Sequence, residues 1–409
     1  MDEVPMHRDV WTGVAPLPWS DSTNELADVV ERVACELART AAERDRAGGT
    51  ALEQRQLLRG SGLLTLAVPA AWGGQEARWP AIFSAVRRLA QADSSLAHLF
   101  GFQHLQVASV LLFGSPAQQE RYLGATVRQG WFWGNAVNAR DTRLVATRTA
   151  RGWRLDGVKS FCSGARDSDV LNVSFAVGDS PQERLFAVVP TDRAGIAVGD
   201  DWDNMGQRQT DSGTVLFDGV EVLHEEVLGP PGAASSPHAT LRNLIGQVIL
   251  TEIYLGNAQG ALAQALQYTQ TQVQPRAMAG VERAVDDGLL QLRVGEHWAA
   301  LRSATALADE ANHAFERAWQ RGSALTAQER GQLGMDVAAA RVTAGRTALQ
   351  VSSQIFELMG ARATTASLAL DRYWRNVRVH TLHDPLDYRS KSMGRWLLTG
   401  EVPDPYGYG

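Results

Sequence analysis

Cysteine is almost missing from this chain of 409 residues: only Cys35 and Cys162 occur. Two thiols so far apart give no disulfide framework and no zinc spacing, and they fit a reducing cytoplasm. There is no Gly-x-Gly-x-x-Gly after a strand and no phosphate loop ending in Gly-Lys-Ser/Thr, which argues against a nicotinamide or nucleoside-triphosphate site of the usual kind. No Gly-x-Ser-x-Gly nucleophile elbow is present. No run of about 18 apolar residues suggests a membrane span. Met1-Asp2-Glu3-Val4-Pro5 shows no basic stretch leading into an apolar one, so no signal peptide is expected. Basic residues are in the minority: 39 Lys and Arg against 45 Asp and Glu leave a net charge of −6. A mildly acidic surface without blocks of like charge argues against nucleic acid or an anionic membrane as partner.

With 44% hydrophobic and 21% charged residues, the chain reads as soluble, globular and long enough for two or three structural units. Three textures follow one another. The first reads as helix: Val29, Val30, Val33 and Leu37 form one stripe, and Pro80 opens a helix through Ile82, Val86 and Leu89. Between about 135 and 225 come short β-branched runs separated by Gly, Asp and Pro, the pattern of a small barrel or sandwich. From about 236 long helical periodicities return. Leu290, Val294, His297, Leu301 and Ala308 share a face, as do Val337, Ala344, Ala348, Val351, Ile355 and Leu358, with Gly360 as a C-cap. The expected domains are 1–130 (helical), 131–232 (β) and 233–409 (helix bundle).

The richest local chemistry is His380-Thr381-Leu382-His383-Asp384. Two imidazoles and a carboxylate within five residues can relay protons or hold a metal, and on a helix His380 and His383 share a face. Other candidates have plain readings beside the functional one. A lone His98 in an apolar stretch reads as core, Ser163 before Gly164 as turn chemistry, Trp202 as packing, and Arg276 and Arg362 as solvated charges.

Longer strings carry a resemblance. Ser61-Gly62-Leu63-Leu64 with Val68-Pro69-Ala70-Ala71-Trp72-Gly73-Gly74, Leu155-Asp156-Gly157-Val158-Lys159, and Phe356 to Arg362 followed by Asp371 to Asn376 resemble, in order, signatures of the acyl-CoA dehydrogenase superfamily. The resemblance implies an α+β fold: an N-terminal helical domain, a central small β-barrel and a C-terminal four-helix bundle. The chain departs from the dehydrogenases at three places. Leu382-His383-Asp384-Pro385 stands where they carry a catalytic carboxylate. Trp133-Gly134-Asn135-Ala136-Val137-Asn138 replaces a flavin loop, and Gln272 to Arg276 replaces an adenine-binding motif.

These departures resemble the flavin-dependent monooxygenases of the same fold, of the dibenzothiophene and dimethyl-sulfone desulfurisation type. The strings that carry this are His98-Leu99-Phe100-Gly101-Phe102, Phe161-Cys162-Ser163-Gly164-Ala165, Asp201 to Arg208 and His380 to Pro385. The resemblance implies reduced FMN, rather than FAD, delivered by a separate NAD(P)H:flavin reductase. It also implies a flavin C4a-hydroperoxide that oxygenates a small apolar compound at sulfur, with nitrogen or aromatic carbon as other targets, in a homotetramer. It gives roles to residues. Trp133, Trp202, Phe102 and Phe161 supply flat apolar surface, and Ser163 donates near the flavin N5 and C4a edge. Asn135 holds the peroxide or pyrimidine side. His98 and His383 exchange a proton, with Asp384 or His380 fixing a tautomer. Arg276 and Arg362 hold the phosphate, one of them from a neighbouring subunit. The alternative is an acyl-CoA dehydrogenase with FAD and Asp384 as base; a metal-binding reading of His380 and His383 is a third.

Overall fold

The computed structural model describes residues 23–178, 183–230, 232–403 and 405. Residues 1–5, read above for a leader, and tail residues Asp404 and 406–409 lie outside them. Five helices come first: α1 (Thr23–Ala47), α2 (Leu52–Gly60), α3 (Trp79–Ala92), α4 (Ser94–Phe113) and α5 (Pro116–Gln129). The stripe expected on α1 is real: Val30, Val33 and Leu37 are buried. Pro80 sits in the first turn of α3, where its missing N–H costs nothing.

The helix that matters most is α4. Asp93 caps it, its carboxylate accepting from the N–H groups of Ser95 and Leu96. α4 is long and apolar enough to cross a membrane, yet nearly all of it is buried inside the protein. It is a central core helix, and it carries polar side chains, Gln103, Gln106 and Ser109, that a lipid-facing helix would not bury unpaired. Gly101 lets it lie close to a long helix behind it: a Cβ there would stand 2.6 Å from Ile249 Cγ2.

The middle of the chain forms two sheets, not one closed barrel. The strands are β1 (Trp133–Ala136), β2 (Val145–Arg148), β3 (Gly152–Lys159), β4 (Val170–Ala176), β5 (Arg184–Pro190), β6 (Ile196–Val198) and β7 (Val215–Leu223). One sheet has the order β1-β4-β5, with β1 parallel to β4; the other has β2-β3-β7-β6, all antiparallel. A separate apolar core, including Leu155, Leu171, Phe175, Phe217 and Val222, fills the space between them.

Three long helices follow: α6 (Leu241–Gln272), α7 (Gly288–Gln320) and α8 (Ala327–Met359). A capping box between Thr326 and Glu329 starts α8, and Gly360 in a positive-φ conformation ends it, as the pattern predicts. The fourth member of the bundle is broken into α9 (Arg372–His383) and α10 (Leu386–Thr399). Pro385 forces the break: the residue before a proline avoids helical backbone, and Asp384 is extended at φ −143°. So His380 and His383 lie on the last turn of a helix that stops at the site.

Candidate active site

A cavity of about 650 Å³ opens where α4, α6, α8, α9 and the two-sheet unit meet, within the ~300–1,000 Å³ range usual for small-molecule sites. His98, Phe102, Asn135, Phe161, Ser163, Trp202, His380, His383 and Asp384 all line it, although they come from five separate stretches of sequence. From the C-terminal tail, Pro403 and Pro405 reach its wall.

α4 presents His98 and Phe102 one turn apart on the same face, with ring centroids 4.0 Å apart and planes 22° from parallel. On the other side His98 stacks on His380 from α9, at 4.9 Å and 30°. Burial, and secondarily the His383 ring, pushes the His98 pKa down to about 3. Burial also holds His380 well below the usual imidazole value. His383, the most exposed of the three, lines the cavity. Enclosure by the cavity walls, and next the guanidinium of Arg341, lower its pKa to about 4. The cluster therefore stands neutral at pH 7. Neutral imidazoles accept and donate hydrogen bonds without carrying charge into an apolar chamber. Among the described residues no group of three or more His, Cys, Asp or Glu converges as a metal cage.

Ser163 comes from the turn after β3, and three backbone bonds hold that turn. Cys162 N donates to Gly213 O at 3.0 Å, Gly164 N to Thr210 O at 3.0 Å, and Asn135 N to Ser163 O at 3.0 Å. Its hydroxyl lies 3.0 Å from His98 Nε2 and 2.7 Å from Ser212 Oγ. Three non-glycine residues in and beside this turn, Phe161, Gln207 and Asp211, have left-handed backbone (φ 59°, 53° and 51°). Such geometry is held only where surroundings enforce it, and it clusters at functional sites. Phe161 turns its ring into the cavity, 54% exposed, and meets Trp202 edge-on at 6.0 Å. The Trp202 indole donates to Gln207 O at 2.8 Å.

Asn135 is oriented by a chain starting at an arginine. Arg242, from the first turn of α6, donates from Nη2 to Gln106 Oε1 at 3.1 Å, so Gln106 must offer its NH2 elsewhere. Gln106 Nε2 gives that hydrogen to Asn135 Oδ1 at 3.2 Å. The amide of Asn135 therefore points its NH2 away from Gln106, as a donor toward the cavity.

Asp384 is not placed to fix a histidine tautomer. Its Oδ2 accepts from Arg341 Nη1 at 2.6 Å and from Arg389 Nε and Nη2 at 2.9 and 2.6 Å. Arg341 is wholly buried on α8, Asp384 nearly so. This clamp is a structural ion pair on the cavity wall. Arg276 and Arg362 also depart from expectation: both are exposed, and neither lines the cavity of its own chain. Trp133 belongs to the helical core, where its indole donates to Thr126 Oγ1 at 2.9 Å.

The sequence reading missed Gln106, Gln207, Thr210, Ser212, Arg242 and Arg341. For Arg341 a signal existed: an arginine directly after Ala338-Ala339-Ala340, on the apolar face of a long helix, needs a buried partner. For Thr210 and Ser212 no local signal exists, because polar residues in a Gly-rich loop read as turn chemistry.

Among the described lining residues are five arginines (140, 242, 330, 341 and 389) and one carboxylate, Asp384, in a chain of net charge −6. A cavity of that sign fits the phosphate of a flavin mononucleotide, and Phe161 and Trp202 offer the flat apolar surface its ring needs.

Comparison with known proteins agrees with this geometry. The acyl-CoA dehydrogenase N-terminal, middle and C-terminal domain models match residues 20–129, 133–220 and 248–388. The chain is 44% identical over 381 residues to the "Probable FMNH2-dependent monooxygenase SfnC" of Pseudomonas putida, covering 93% of this chain and 96% of that one. Methanesulfinate monooxygenase MsuC from Pseudomonas fluorescens superimposes with a TM-score of 0.89 at 43% identity, covering 93% and 98% of the two chains. FMN-bound TdsC from Paenibacillus sp. A11-2 gives a TM-score of 0.90 at 40% identity, covering 94% and 100%. The chain thus belongs to the acyl-CoA dehydrogenase superfamily, in the branch that holds the flavin-dependent monooxygenases.

Proposed function

We propose that this protein is a two-component monooxygenase that takes FMNH2 from a separate NAD(P)H:flavin reductase and oxygenates a small apolar heteroatom compound, at sulfur first of all. The observation that carries the reading is the state of Asp384. It is the one carboxylate among the described lining residues, and two arginines hold its Oδ2 in a buried ion pair. Removing a proton beside a thioester needs a carboxylate free to accept it. In the dehydrogenase alternative Asp384 would take that proton on Oδ1 and leave the buried Arg341 and its neighbour Arg389 without their counter-charge, a costly step.

Bound FMNH2 supplies two electrons and two hydrogens, so that one atom of O2 reaches the substrate and the other leaves as water. The rest falls to the chain. Phe102, Phe161 and Trp202 give a dry, flat wall, which protects oxygen chemistry from water. Asn135 offers its NH2 to an oxygen carrying developing charge. The neutral imidazoles of His98 and His383 can hold or pass a proton without titrating near pH 7. Arg140, Arg242 and Arg330 line the cavity as further cations for the phosphate, beside the pair that Arg341 and Arg389 make with Asp384. Arg276 would join them only from another copy, as the expected homotetramer allows. Two free cysteines support a reducing cytoplasm.

The test is anaerobic mixing of the purified protein with FMNH2, then oxygen, in the presence of thioethers, thiophenes and sulfinates. We expect a transient flavin absorbance unlike that of either stable redox form, and sulfur-oxygenated product. Reduction of bound FAD by an acyl-CoA without oxygen would overturn the reading.

A further inference from the structure

Ser163 is the third member of an unbroken file of buried hydroxyls. Thr210 Oγ1 lies 2.9 Å from Gln207 O, Ser212 Oγ lies 2.8 Å from Thr210 Oγ1, and Ser163 Oγ lies 2.7 Å from Ser212 Oγ. His98 Nε2 closes the file at 3.0 Å from Ser163 Oγ. Thr210, Ser212, Ser163 and His98 are all at most 7% exposed, at the cavity wall, and the short distances among them make them one another's partners. Each hydroxyl has one hydrogen to give.

The file has a direction, and the carbonyl at its end sets it. A carbonyl only accepts, so the Thr210 hydroxyl hydrogen belongs to Gln207 O. Thr210 Oγ1 must then receive from Ser212, and Ser212 Oγ must receive from Ser163. Any reversal would set two lone pairs against each other at under 3 Å in a buried place. The Ser163 hydrogen is thereby spoken for, and Ser163 meets His98 as an acceptor: His98 carries its hydrogen on Nε2. His98 Nδ1 is left bare, buried and without a partner.

We infer that Gln207, Thr210 and Ser212 are positioning residues that make Ser163 a hydrogen-bond acceptor toward the cavity. The Ser163 hydroxyl cannot donate there, contrary to the role expected from sequence. A ligand atom that meets Ser163 must bring its own N–H or O–H. This bears on flavin redox state. At the ring edge where the resemblance puts Ser163, a reduced isoalloxazine carries N5–H, and an oxidised one carries a bare nitrogen. A Ser163 that only accepts favours the reduced form on arrival and disfavours the oxidised form once turnover is complete. This second step rests on the flavin reading proposed above; the direction of the file does not.

The backbone supports such a device. Gln207 is held in left-handed conformation, with its N–H donating to Asn376 Oδ1 at 2.7 Å and its Nε2 to Ser94 Oγ at 2.7 Å. Those anchors, from α9 and α4, aim the carbonyl that orders the file, and the same carbonyl receives the Trp202 indole.

Two measurements test this. Neutron diffraction from deuterated crystals without flavin is expected to show the Ser163 deuterium toward Ser212 and a deuterium on His98 Nε2. A Ser163 deuterium pointing at His98 would overturn the inference. Anaerobic titration of FMNH2 and aerobic titration of FMN give the ratio of their Kd values. In Thr210→Val and Ser212→Ala that preference for FMNH2 is expected to fall about tenfold, the value of one hydrogen bond gained or lost. Thr210→Ser, which keeps the hydroxyl, is expected to preserve it. An unchanged ratio in folded Thr210→Val and Ser212→Ala would overturn the redox step. Binding of neither flavin form, with the deuterium positions as expected, would overturn that step together with the flavin reading and leave the direction of the file supported.

Discussion

Arg341 Nη1 donates to Asp384 Oδ2 across 2.6 Å in a place where neither side chain is more than 2% exposed. Arg389 adds a second grip on the same oxygen. Breaking a buried pair from one side strands the other charge, which costs about 3–5 kcal/mol. We therefore expect Asp384→Asn to lower the thermal midpoint markedly, because Arg341 stays buried and loses its counter-charge. Denaturant unfolding of the variant checks this. A variant with wild-type stability and lost turnover would return Asp384 to a catalytic role.

His98, His104 and His380 are buried with depressed pKa values, and His383 follows at the cavity wall. In the unfolded chain each takes a proton near pH 6.5, while in the fold His98 and His104 wait until about 3. The unfolded state then binds more protons below pH 6.5, so stability is full above that value and falls as pH drops toward 3. Each such group adds up to about 1.4 kcal/mol per pH unit to the slope. His104→Leu should flatten the stability-against-pH curve between pH 6 and 4 by about one group's worth, as thermal scans across that range would show.

Gly101 is where α4 meets α6, with Ile249 directly opposite. Gly101→Ala is expected to push the helices apart and destabilise by about 1–3 kcal/mol, as overpacking usually does. Adding Ile249→Ala should restore part of the loss, so the two changes will be non-additive in denaturant titrations. Because Phe102 and His98 ride on α4, product formation should fall in the single variant even where the protein remains folded.

Asn135 owes its direction to Arg242 acting through Gln106. Asn135→Asp replaces a donor with an acceptor at the same spot. Loss of one oriented donor at a site of developing charge typically costs about 10²–10³ in rate. We expect a fall of that order in product formed per FMNH2 consumed, with the remaining flavin oxidation released as hydrogen peroxide. Gln106→Leu should show a milder form of the same uncoupling.

Periodicity made the outer architecture legible: the stripe on α1, the start of α3 at Pro80, the stop of α8 at Gly360, and the helix-sheet-helix order all rest on local rules. His380 and His383 stand out by their own spacing, whereas His98, Ser163 and Trp202 gain a role only because strings around them resemble a known branch. What stayed hidden depends on contacts across the fold. Which of the barrel and the sandwich the short strands form was hidden, because pairing of β1 with β4 is set by long-range register. Arg276 and Arg362 looked like phosphate ligands because nothing local tells an arginine on the surface from Arg242, which α6 turns inward. Thr210 and Ser212 acquire meaning only from which oxygen lies next to which.

The cavity wall is positive while the chain around it is negative. An anionic visitor such as a flavin phosphate is repelled at long range and attracted once inside. Screening acts on the first effect more than on the second, because the Debye length is about 8 Å at physiological salt and partly buried charges are screened less. Docking of the flavin should therefore quicken as salt is raised from very low values, the reverse of what attraction between opposite charges at the surface would give. Carriage of the flavin between two proteins would then be governed less by long-distance pull than by how the doorway is presented.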